Sequence, residues 1–200
     1  MIKNIVFDLG NVLVKFKPRQ FLNDLFTDEN VIDFLFDFYF QSGLWNQYDQ
    51  GLFTKEGMID QGQQVHPEYK DEIVQMMNRW VEYVVEVESS IQVLEKYKGH
   101  FSLYVLSNVP EDYYQYVIEN LSIFKYMDGG IYSYQEKIIK PDTRIYRRLL
   151  EKYNLQADEC LFIDDKLENI EKANELGFYT IHLKELSELE NELKVMLDEM

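Results

Sequence analysis

Cysteine and basic residues are scarce in this 200-residue chain. Its single cysteine, Cys160, cannot form a disulfide within the chain, which is typical of a protein that works in a reducing cytosol. Only 20 Lys and Arg residues stand against 36 Asp and Glu residues, so the formal net charge is -16. That charge disfavours a nucleic-acid backbone or an anionic membrane surface as the main partner, because both would repel the protein.

Long apolar runs and low-complexity segments are also missing. No stretch approaches the ~18 apolar residues of a membrane span, and the N-terminal apolar run, residues 2–7, is too short for a signal peptide. Only 4 Pro and 9 Gly residues occur, and 46% of the residues are hydrophobic, which is ordinary globular composition. We therefore expect a cytoplasmic protein, monomeric or homodimeric, with one domain or one domain plus a small insert.

Short apolar segments alternate with amphipathic segments along most of the chain. The run 2–7 is rich in β-branched residues and stops at Asp8, which is typical of a buried strand. Further strands are predicted at 101–106, 131–133, 161–163 and 178–183. Helices are predicted at 111–120, 142–153 and 167–176, from a cap at Ser89 or Ser90 to near Gly99, and in the tail from Glu185. This alternation predicts a parallel sheet with helices on both faces, although periodicity does not give the strand order.

The stretch 16–88 differs because its pattern is helical throughout. Val31, Phe34, Leu35 and Phe38 follow the i, i+3, i+4, i+7 spacing of one helix face, and no strand is predicted here. We expect an α/β core domain formed by residues 1–15 and 89–200, with residues 16–88 inserted as a helical cap domain.

Polar side chains follow four of the five predicted strands. In parallel sheets, ligands bind beyond the carboxyl ends of the strands, so these side chains are expected to converge on one edge. They are Asp8 after the first strand, Ser107 and Asn108 after the second, Lys140 after a loop from the third, and Asp164 and Asp165 after the fourth.

This set of groups predicts a metal-dependent phosphate site. Three carboxylates packed together repel one another, which calls for a cation, and oxygen ligands of this kind suit Mg²⁺. The metal and Lys140 would neutralise phosphoryl oxygens while the Asp8 carboxylate attacks phosphorus to form an aspartyl-phosphate. The Ser107 hydroxyl would hydrogen-bond a further phosphoryl oxygen.

Four segments resemble, in order, the four motifs of the haloacid dehalogenase (HAD) superfamily. They are Phe-Asp-Leu-Gly-Asn-Val-Leu at 7–13, Leu-Ser-Asn at 106–108, Lys-Pro-Asp at 140–142, and Phe-Ile-Asp-Asp at 162–165, which continues to residue 170. The chain is most similar to the helical-cap subgroup, near its alpha-D-glucose-1-phosphate phosphatase-like branch. The turn at 8–11 and the cap residues Ser42, Trp45 and Asp49-Gln50-Gly51 carry that likeness. The resemblance implies a Rossmann-like parallel sheet with an inserted α-helical cap.

The resemblance also implies a role for each motif residue. Asp8 would be the nucleophile and a metal ligand, and Gly10 would offer its main-chain carbonyl to the metal. Asp165 would be the likelier direct ligand of the acidic pair, with Asp164 acting directly or through water. Ser107, Asn108 and Lys140 would bind the phosphoryl group, and Trp45 would line the substrate side of the cap. The implied function is a Mg²⁺-dependent phosphatase for a small phosphorylated metabolite, with a sugar phosphate as the candidate class.

Gly10 departs from the family pattern. Phosphatases of this superfamily usually carry a second Asp at that position, two residues after the nucleophile, as general acid and base. Its loss costs on the order of 10²–10⁴-fold in rate unless something replaces it. Either the substrate has a good leaving group, such as an anomeric, acyl or aryl phosphate, or a cap residue or water supplies the proton.

Three alternatives remain beside the phosphatase. A regulatory or binding protein of the same family is motivated by Gly10. A 2-haloacid dehalogenase would use the same nucleophile on carbon but needs no metal, so the retained acidic pair speaks against it. A phospho-receiver domain gathers similar residues in another order, with the acidic pair after its first strand, and carries no cap of about 70 residues.

Overall fold

Five parallel strands form the centre of the protein, in the order β5-β4-β1-β6-β7. The structure, a computed structural model, describes residues 1–198. The strands are β1 (Asn4–Phe7), β2 (Val14–Lys15), β3 (Val85–Glu86), β4 (Ser102–Ser107), β5 (Gly129–Tyr132), β6 (Cys160–Asp164) and β7 (Tyr179–His182). The strands predicted at 2–7, 101–106, 131–133, 161–163 and 178–183 are thus confirmed, with ends that move by one or two residues.

The central strand β1 is the element that positions the site. All four of its residues are buried, and β4 and β6 pair with it on its two sides. The register places Phe7 beside Val105 and beside Ile163. The residues that follow β1, β4 and β6 therefore emerge next to one another at a single edge.

Eleven α-helices accompany the strands within residues 1–198, besides a π-helical turn at Phe36–Gln41 and short 3-10 helices. They are α1 (Pro18–Leu25), α2 (Glu29–Leu35), α3 (Leu44–Asp49), α4 (Lys55–Val65), α5 (Lys70–Arg79), α6 (Glu88–Tyr97), α7 (Glu111–Asn120), α8 (Ser133–Glu136), α9 (Thr143–Tyr153), α10 (Leu167–Glu175) and α11 (Leu189–Asp198). Over the described residues, no helix combines the length and the apolar character that crossing a bilayer requires.

The two faces of the sheet are each covered by helices, as predicted. Successive residues of a strand point to opposite faces, and β1 shows this directly. Ile5 and Phe7 belong to an apolar cluster with residues of α6, α7 and α11, whereas Val6 belongs to a second cluster with residues of α9 and α10. The predicted α/β fold with a covered parallel sheet is therefore confirmed.

The predicted serine cap of α6 is wrong. The residue at the helix start is Val87, and Ser90 lies inside the first turns, fully buried. The Ser90 hydroxyl donates to the main-chain oxygen of Val12 at 3.2 Å. A buried hydroxyl needs a partner, and here tertiary contact with the loop after β1 supplies it in place of the helix end.

A short antiparallel ribbon marks where the chain leaves the sheet and returns. Val14 in β2 pairs with Glu86 in β3, and α1 to α5 lie between these two strands. The expectation that residues 16–88 hold no strand is wrong at 85–86, because two residues are too few to show a period of two. The division into core (1–15, 89–200) and cap (16–88) stays a prediction, since one continuous apolar cluster contains residues of both.

Substitution of Gly62 in α4 tests how tightly the helices between β2 and β3 pack. A Cβ at position 62 would lie 2.1 Å from the hydroxyl oxygen of Tyr39, which is fully buried and donates to the Met58 carbonyl at 3.0 Å. We expect Gly62→Ala to lower the free energy of unfolding by about 1–3 kcal/mol, because overpacking outweighs the helix propensity of alanine. Urea denaturation measures the change.

Gly57→Ala in the same helix is the matched control. Its Cβ would come no closer than 3.3 Å to the half-buried Phe53 ring, so the strain should be smaller. Equal destabilisation by both variants would contradict the packing argument.

Candidate active site

Asp8 emerges from the end of β1 with one carboxylate oxygen held and the other free. Oδ1 accepts hydrogen bonds from the Leu9 amide at 2.7 Å and the Ser107 hydroxyl at 2.6 Å, and it lies 3.0 Å from Lys140 Nζ. No donor among residues 1–198 reaches Oδ2. The side chain is only 8% exposed, so its orientation is fixed while one oxygen remains available for chemistry.

Lys140 bridges two of the carboxylates. Its ammonium lies 2.6 Å from Asp164 Oδ2 as well as 3.0 Å from Asp8 Oδ1. Burial alone would lower the pKa of Lys140, but the attraction of Asp164 and Asp8 outweighs burial, so that pKa lies above its ordinary value. The side chain is therefore a permanent cation between two acids.

Asn108 holds the main chain of Lys140. Its carboxamide accepts from the Lys140 amide at 2.8 Å and donates to the Lys140 carbonyl at 3.0 Å. Asn108 also borders the cavity described below. The contacts make it the residue that orients Lys140, and the predicted contact with substrate stays a prediction.

Asp164 is fully buried and its hydrogen-bonding capacity is used. Oδ1 accepts from the Lys166 amide at 2.8 Å and from Asn169 Nδ2 at 3.0 Å. Oδ2 accepts from Lys140 Nζ at 2.6 Å and again from Asn169 Nδ2 at 3.0 Å. Because a carboxylate has about four lone-pair sites, Asp164 has little capacity left for a direct metal bond.

Asp165 is the less occupied member of the acidic pair. Its Oδ2 accepts from Asn11 Nδ2 at 3.2 Å, and burial raises its pKa above the ordinary value, with help from Asp164. One carboxylate oxygen from each of Asp8, Asp164 and Asp165 lies within 4.8 Å of the others.

The residues present fit a hard divalent cation. Three mutually repelling carboxylates face a single ammonium, and all the nearby ligands are oxygens, which Mg²⁺ prefers. The carboxamide oxygen of Asn169 is also buried without a hydrogen-bond partner beside this cluster. An ion and its waters would satisfy the excess of acceptors.

Gly10 leaves open space where a second acid is expected. A Cβ built on Gly10 would meet no atom within 4 Å, and the residue borders the cavity. The next residue, Asn11, adopts a left-handed conformation with φ 55°, which asparagine tolerates, and this turn brings its side chain to Asp165.

Asp8 and Asp165 border a cavity of about 370 Å³. Residues of the helical segment 16–88 form much of the rest of its wall. The sheet edge contributes Asp8, Lys140 and Asp165, and the predicted Trp45 does line this cavity. The opposite wall is largely aromatic and comprises Phe16, Phe36, Phe40, Trp45, Trp80 and Tyr113. The site thus has one charged end and one apolar end.

The structure brings the predicted residues together, but in different ways. Asp8, Gly10, Asn108, Lys140, Asp165 and Trp45 border the cavity, whereas Ser107 and Asp164 lie behind it. Ser107 is 1% exposed, and its hydroxyl is engaged with Asp8. Contact of Ser107 with a phosphoryl group stays a prediction.

Sequence reasoning missed several polar residues of the cavity, and two of them, Asp49 and Tyr113, matter for the chemistry. Asp49, the last residue of α3, was part of the family resemblance but received no role. Tyr113 lies in the first turns of α7, and its buried hydroxyl has no hydrogen-bond partner within residues 1–198. Neither follows a strand, so the signal that found the other residues does not reach them.

Comparison with protein families identifies one matching model. The model of the haloacid dehalogenase-like hydrolases matches residues 2–177. A sesquiterpene phosphatase of Aspergillus oryzae is 27% identical over 187 residues, covering 90% of this chain and 89% of that protein. The D-ribitol-5-phosphate phosphatase of Bacteroides thetaiotaomicron is 26% identical over 220 residues, covering 99% of this chain and all of that protein, 100%.

Solved structures share the fold. A haloacid dehalogenase family enzyme from Bacteroides thetaiotaomicron, crystallised with magnesium and inorganic phosphate, superposes with a TM-score of 0.68 at 24% identity, covering 90% of this chain and 93% of that chain. The L-2-haloacid dehalogenase of Xanthobacter autotrophicus superposes with a TM-score of 0.67 at 16% identity, covering 90% and 76%. At these identities the likeness is one of fold.

Asp8 should make the metal-free protein less stable as the pH rises. Burial raises its pKa from 3.8 to about 6, against the attraction of Lys140 and with repulsion from Asp164 and Asp165. Folding then favours the protonated carboxyl, so its stabilising contribution is complete below about pH 4 and is lost as the pH rises through about 6. We expect the free energy of unfolding of the wild type to fall by up to about 3 kcal/mol relative to Asp8→Asn over this range.

Urea denaturation in a chelator, at several pH values between about 4 and 7, measures this difference. Asp8→Asn lacks the Asp8 carboxyl group, so a stability difference that changes with pH reports the titration of that group. A constant difference across the range would contradict the raised pKa.

Proposed function

The chain belongs to the haloacid dehalogenase-like hydrolases, and we propose that it is a Mg²⁺-dependent phosphatase acting on a small phosphorylated metabolite through an aspartyl-phosphate. The observation that carries the proposal is the state of Asp8: three donors hold Oδ1, and Oδ2 is free beside the cavity. A carboxylate fixed in this way presents one oxygen as a nucleophile in a constant orientation. Both phosphatases quoted above support this reaction class.

The residues around Asp8 would stabilise charge on the transferred phosphoryl group. Lys140 holds a permanent positive charge 3.0 Å from Asp8 Oδ1, and Asn108 keeps its main chain in place. Positioning and charge neutralisation account for most of the catalysis in phosphoryl transfer. Ser107, hydrogen-bonded to Asp8, would orient the nucleophile, and its contact with a phosphoryl oxygen stays a prediction.

Asp8 and Asp165 are the side chains that would hold Mg²⁺, with the Gly10 carbonyl as the main-chain ligand implied by the family. Asp164, already bonded to Lys140, Lys166 and Asn169, would act through water and keep the lysine in place. When bound, the metal would neutralise phosphoryl oxygens and reduce the repulsion among the carboxylates.

The aromatic wall of the cavity indicates which classes of substrate to test. The family resemblance favours a sugar phosphate, and aromatic rings such as Trp45 and Phe40, which stack at 4.3 Å between ring centroids, can cover the apolar face of a sugar or an apolar chain. The two related phosphatases act on a polyol phosphate and on sesquiterpene phosphates according to their names. Substrate profiling should therefore span both classes.

The composition of the chain bears on its location in the cell and on its partners. The net charge of -16 and the single cysteine support a cytoplasmic protein with a small-molecule partner and no nucleic acid or membrane partner. We propose a monomer or a homodimer, which light scattering would distinguish.

Asp8→Asn should abolish phosphate release. The amide retains the shape of the side chain but is not a nucleophile, so we expect turnover to fall on the order of 10³-fold or more. Phosphate release is measured with sugar phosphates, nucleotides, acetyl phosphate, prenyl phosphates and an aryl phosphate, each with and without Mg²⁺.

Asp24→Asn, an exposed position on α1, is the matched control and should retain wild-type turnover. Release that persists in Asp8→Asn would overturn the proposed nucleophile. A wild type that binds a phosphate ester and Mg²⁺ without turnover would instead support the regulatory alternative, and halide release from a 2-haloacid without metal would support the dehalogenase.

Bound Mg²⁺ should stabilise the folded protein through Asp165. The ion relieves carboxylate repulsion and binds the folded state only, so at about 100 times its Kd it adds about 2.7 kcal/mol. We expect the melting temperature of the wild type to rise with Mg²⁺ concentration and that of Asp165→Asn to rise much less. An equal rise in both proteins would place the ion elsewhere.

A further inference from the structure

The proposed reaction needs a proton for the leaving group. As Asp8 attacks phosphorus, the departing alcohol oxygen gains negative charge, and an alkoxide is a poor leaving group unless it is protonated. Gly10 cannot supply the proton because it has no side chain. For a poor leaving group, a protein side chain that lines the same cavity is the alternative source.

Asp49 reaches this cavity from the helical segment. It is the last residue of α3 and lines the cavity together with Asp8. Its main-chain oxygen accepts from the Ser133 hydroxyl at 2.5 Å. No donor among residues 1–198 reaches the Asp49 carboxyl group, so it is free to act on a ligand.

The chain around Asp49 is fastened to the sheet domain. Gln50 Nε2 donates to the Lys137 carbonyl at 2.7 Å, and Lys137 Nζ donates to the Gly51 carbonyl at 2.5 Å. Gly51 has φ +69°, and a Cβ there would lie 2.8 Å from the Tyr134 carbonyl oxygen, so only glycine allows this approach. These contacts hold Asp49 in place in the wall of the cavity that Asp8 also lines.

The surroundings of Asp49 favour its protonated form. Burial raises the pKa of its carboxyl well above the usual range, and repulsion from Asp8 and Asp112 adds to this, whereas Lys166 and Lys140 oppose it. A carboxyl group with a raised pKa holds a proton that it can donate to a leaving group.

Tyr113 is the neighbouring candidate, and it is less suitable. Its buried hydroxyl faces both Asp8 and Asp49, and burial raises its pKa well above the already high ordinary value of 10.0. It can donate a hydrogen bond but holds its proton too tightly to transfer it. Lys140 is also unsuitable, because the attraction of Asp164 and Asp8 holds its pKa above its ordinary value.

We propose that Asp49 is the general acid and base that replaces the missing side chain at position 10, an inference that rests on the proposed phosphatase function. In the first step, Asp8 Oδ2 forms a bond to phosphorus, the bond from phosphorus to the leaving oxygen breaks, and the Asp49 carboxyl donates its proton to that oxygen. In the second step, the Asp49 carboxylate takes a proton from water as the water oxygen bonds to phosphorus. The aspartyl-phosphate bond then breaks, which releases inorganic phosphate and restores both acids.

The test compares Asp49→Asn with the wild type on two esters, a primary alkyl phosphate and para-nitrophenyl phosphate. An alkyl leaving group needs the proton, so kcat/KM should fall about 10²–10⁴-fold. Nitrophenolate leaves without protonation, so its kcat/KM should change by less than about threefold. Because water would still lack its base, nitrophenol should appear as a burst followed by slow turnover.

A second measurement tests whether an acid placed at position 10 can restore the activity that Asp49→Asn loses. The open space beside Gly10 accommodates a side chain, so Gly10→Asp placed in Asp49→Asn should restore most of the alkyl phosphatase activity. Gln47→Ala, an exposed position on the same helix, is the control for effects on α3 and should match the wild type. Melting temperatures verify that each variant is folded.

The outcomes separate the two proposals. Equal losses on both esters, or no loss on either, with an active wild type would overturn the role of Asp49 and leave the phosphatase intact. A wild type without Asp8-dependent phosphate release on any ester would overturn the proposed function and this inference together. Selective loss on the alkyl ester, with rescue by Gly10→Asp, is the expected result.

Discussion

A buried ammonium shared by two carboxylates is the interaction around which the site is organised. Lys140 lies 2.6 Å from Asp164 and 3.0 Å from Asp8, and all three side chains are almost withdrawn from water. Charges in such a place are costly unless each one is paired and hydrogen-bonded. Uncharged groups provide the remaining hydrogen bonds and thus help to determine where the charged groups lie. They are the Asn108 and Asn169 side chains, the Ser107 hydroxyl and the main-chain amides of Leu9 and Lys166. The charge is still not balanced, because Asp165 adds a third carboxylate, and this excess is what makes the edge suited to a divalent cation.

The sheet and the helical segment supply different parts of the chemistry. The sheet edge presents Asp8, which we propose as the nucleophile, and the acidic pair at strand ends, together with Lys140 from a loop. The helical segment supplies the aromatic wall and the Asp49 carboxyl, and it is attached through the ribbon of β2 and β3 and through hydrogen bonds from Ser133 and Lys137. A site assembled in this way can keep one reaction centre while the wall opposite selects the leaving group.

Much of the fold was predictable because buried parallel strands leave a clear mark. Residues 5–7 and 160–163 are apolar on both faces, and the two runs stop at Asp8 and Asp164 of the candidate site. The short ribbon strand at 85–86 was not predictable, since two residues cannot show alternation. The serine cap of α6 was wrong for a related reason: Ser90 is bonded to Val12, a partner far away in the chain.

The sequence by itself determined the polar groups at the strand ends, their order and the chemistry that they share, because residue type and strand position are local properties. Only the tertiary structure decided which of those groups border the cavity and which hold the others in place. It showed that Ser107 and Asp164 stand behind Asp8 and Lys140, and that Asp165 is the less occupied acid. It also brought Asp49 to the cavity that Asp8 lines, from a helix more than 40 residues away in the chain. Contacts of this kind depend on how separate segments pack, and no local pattern of residues encodes them.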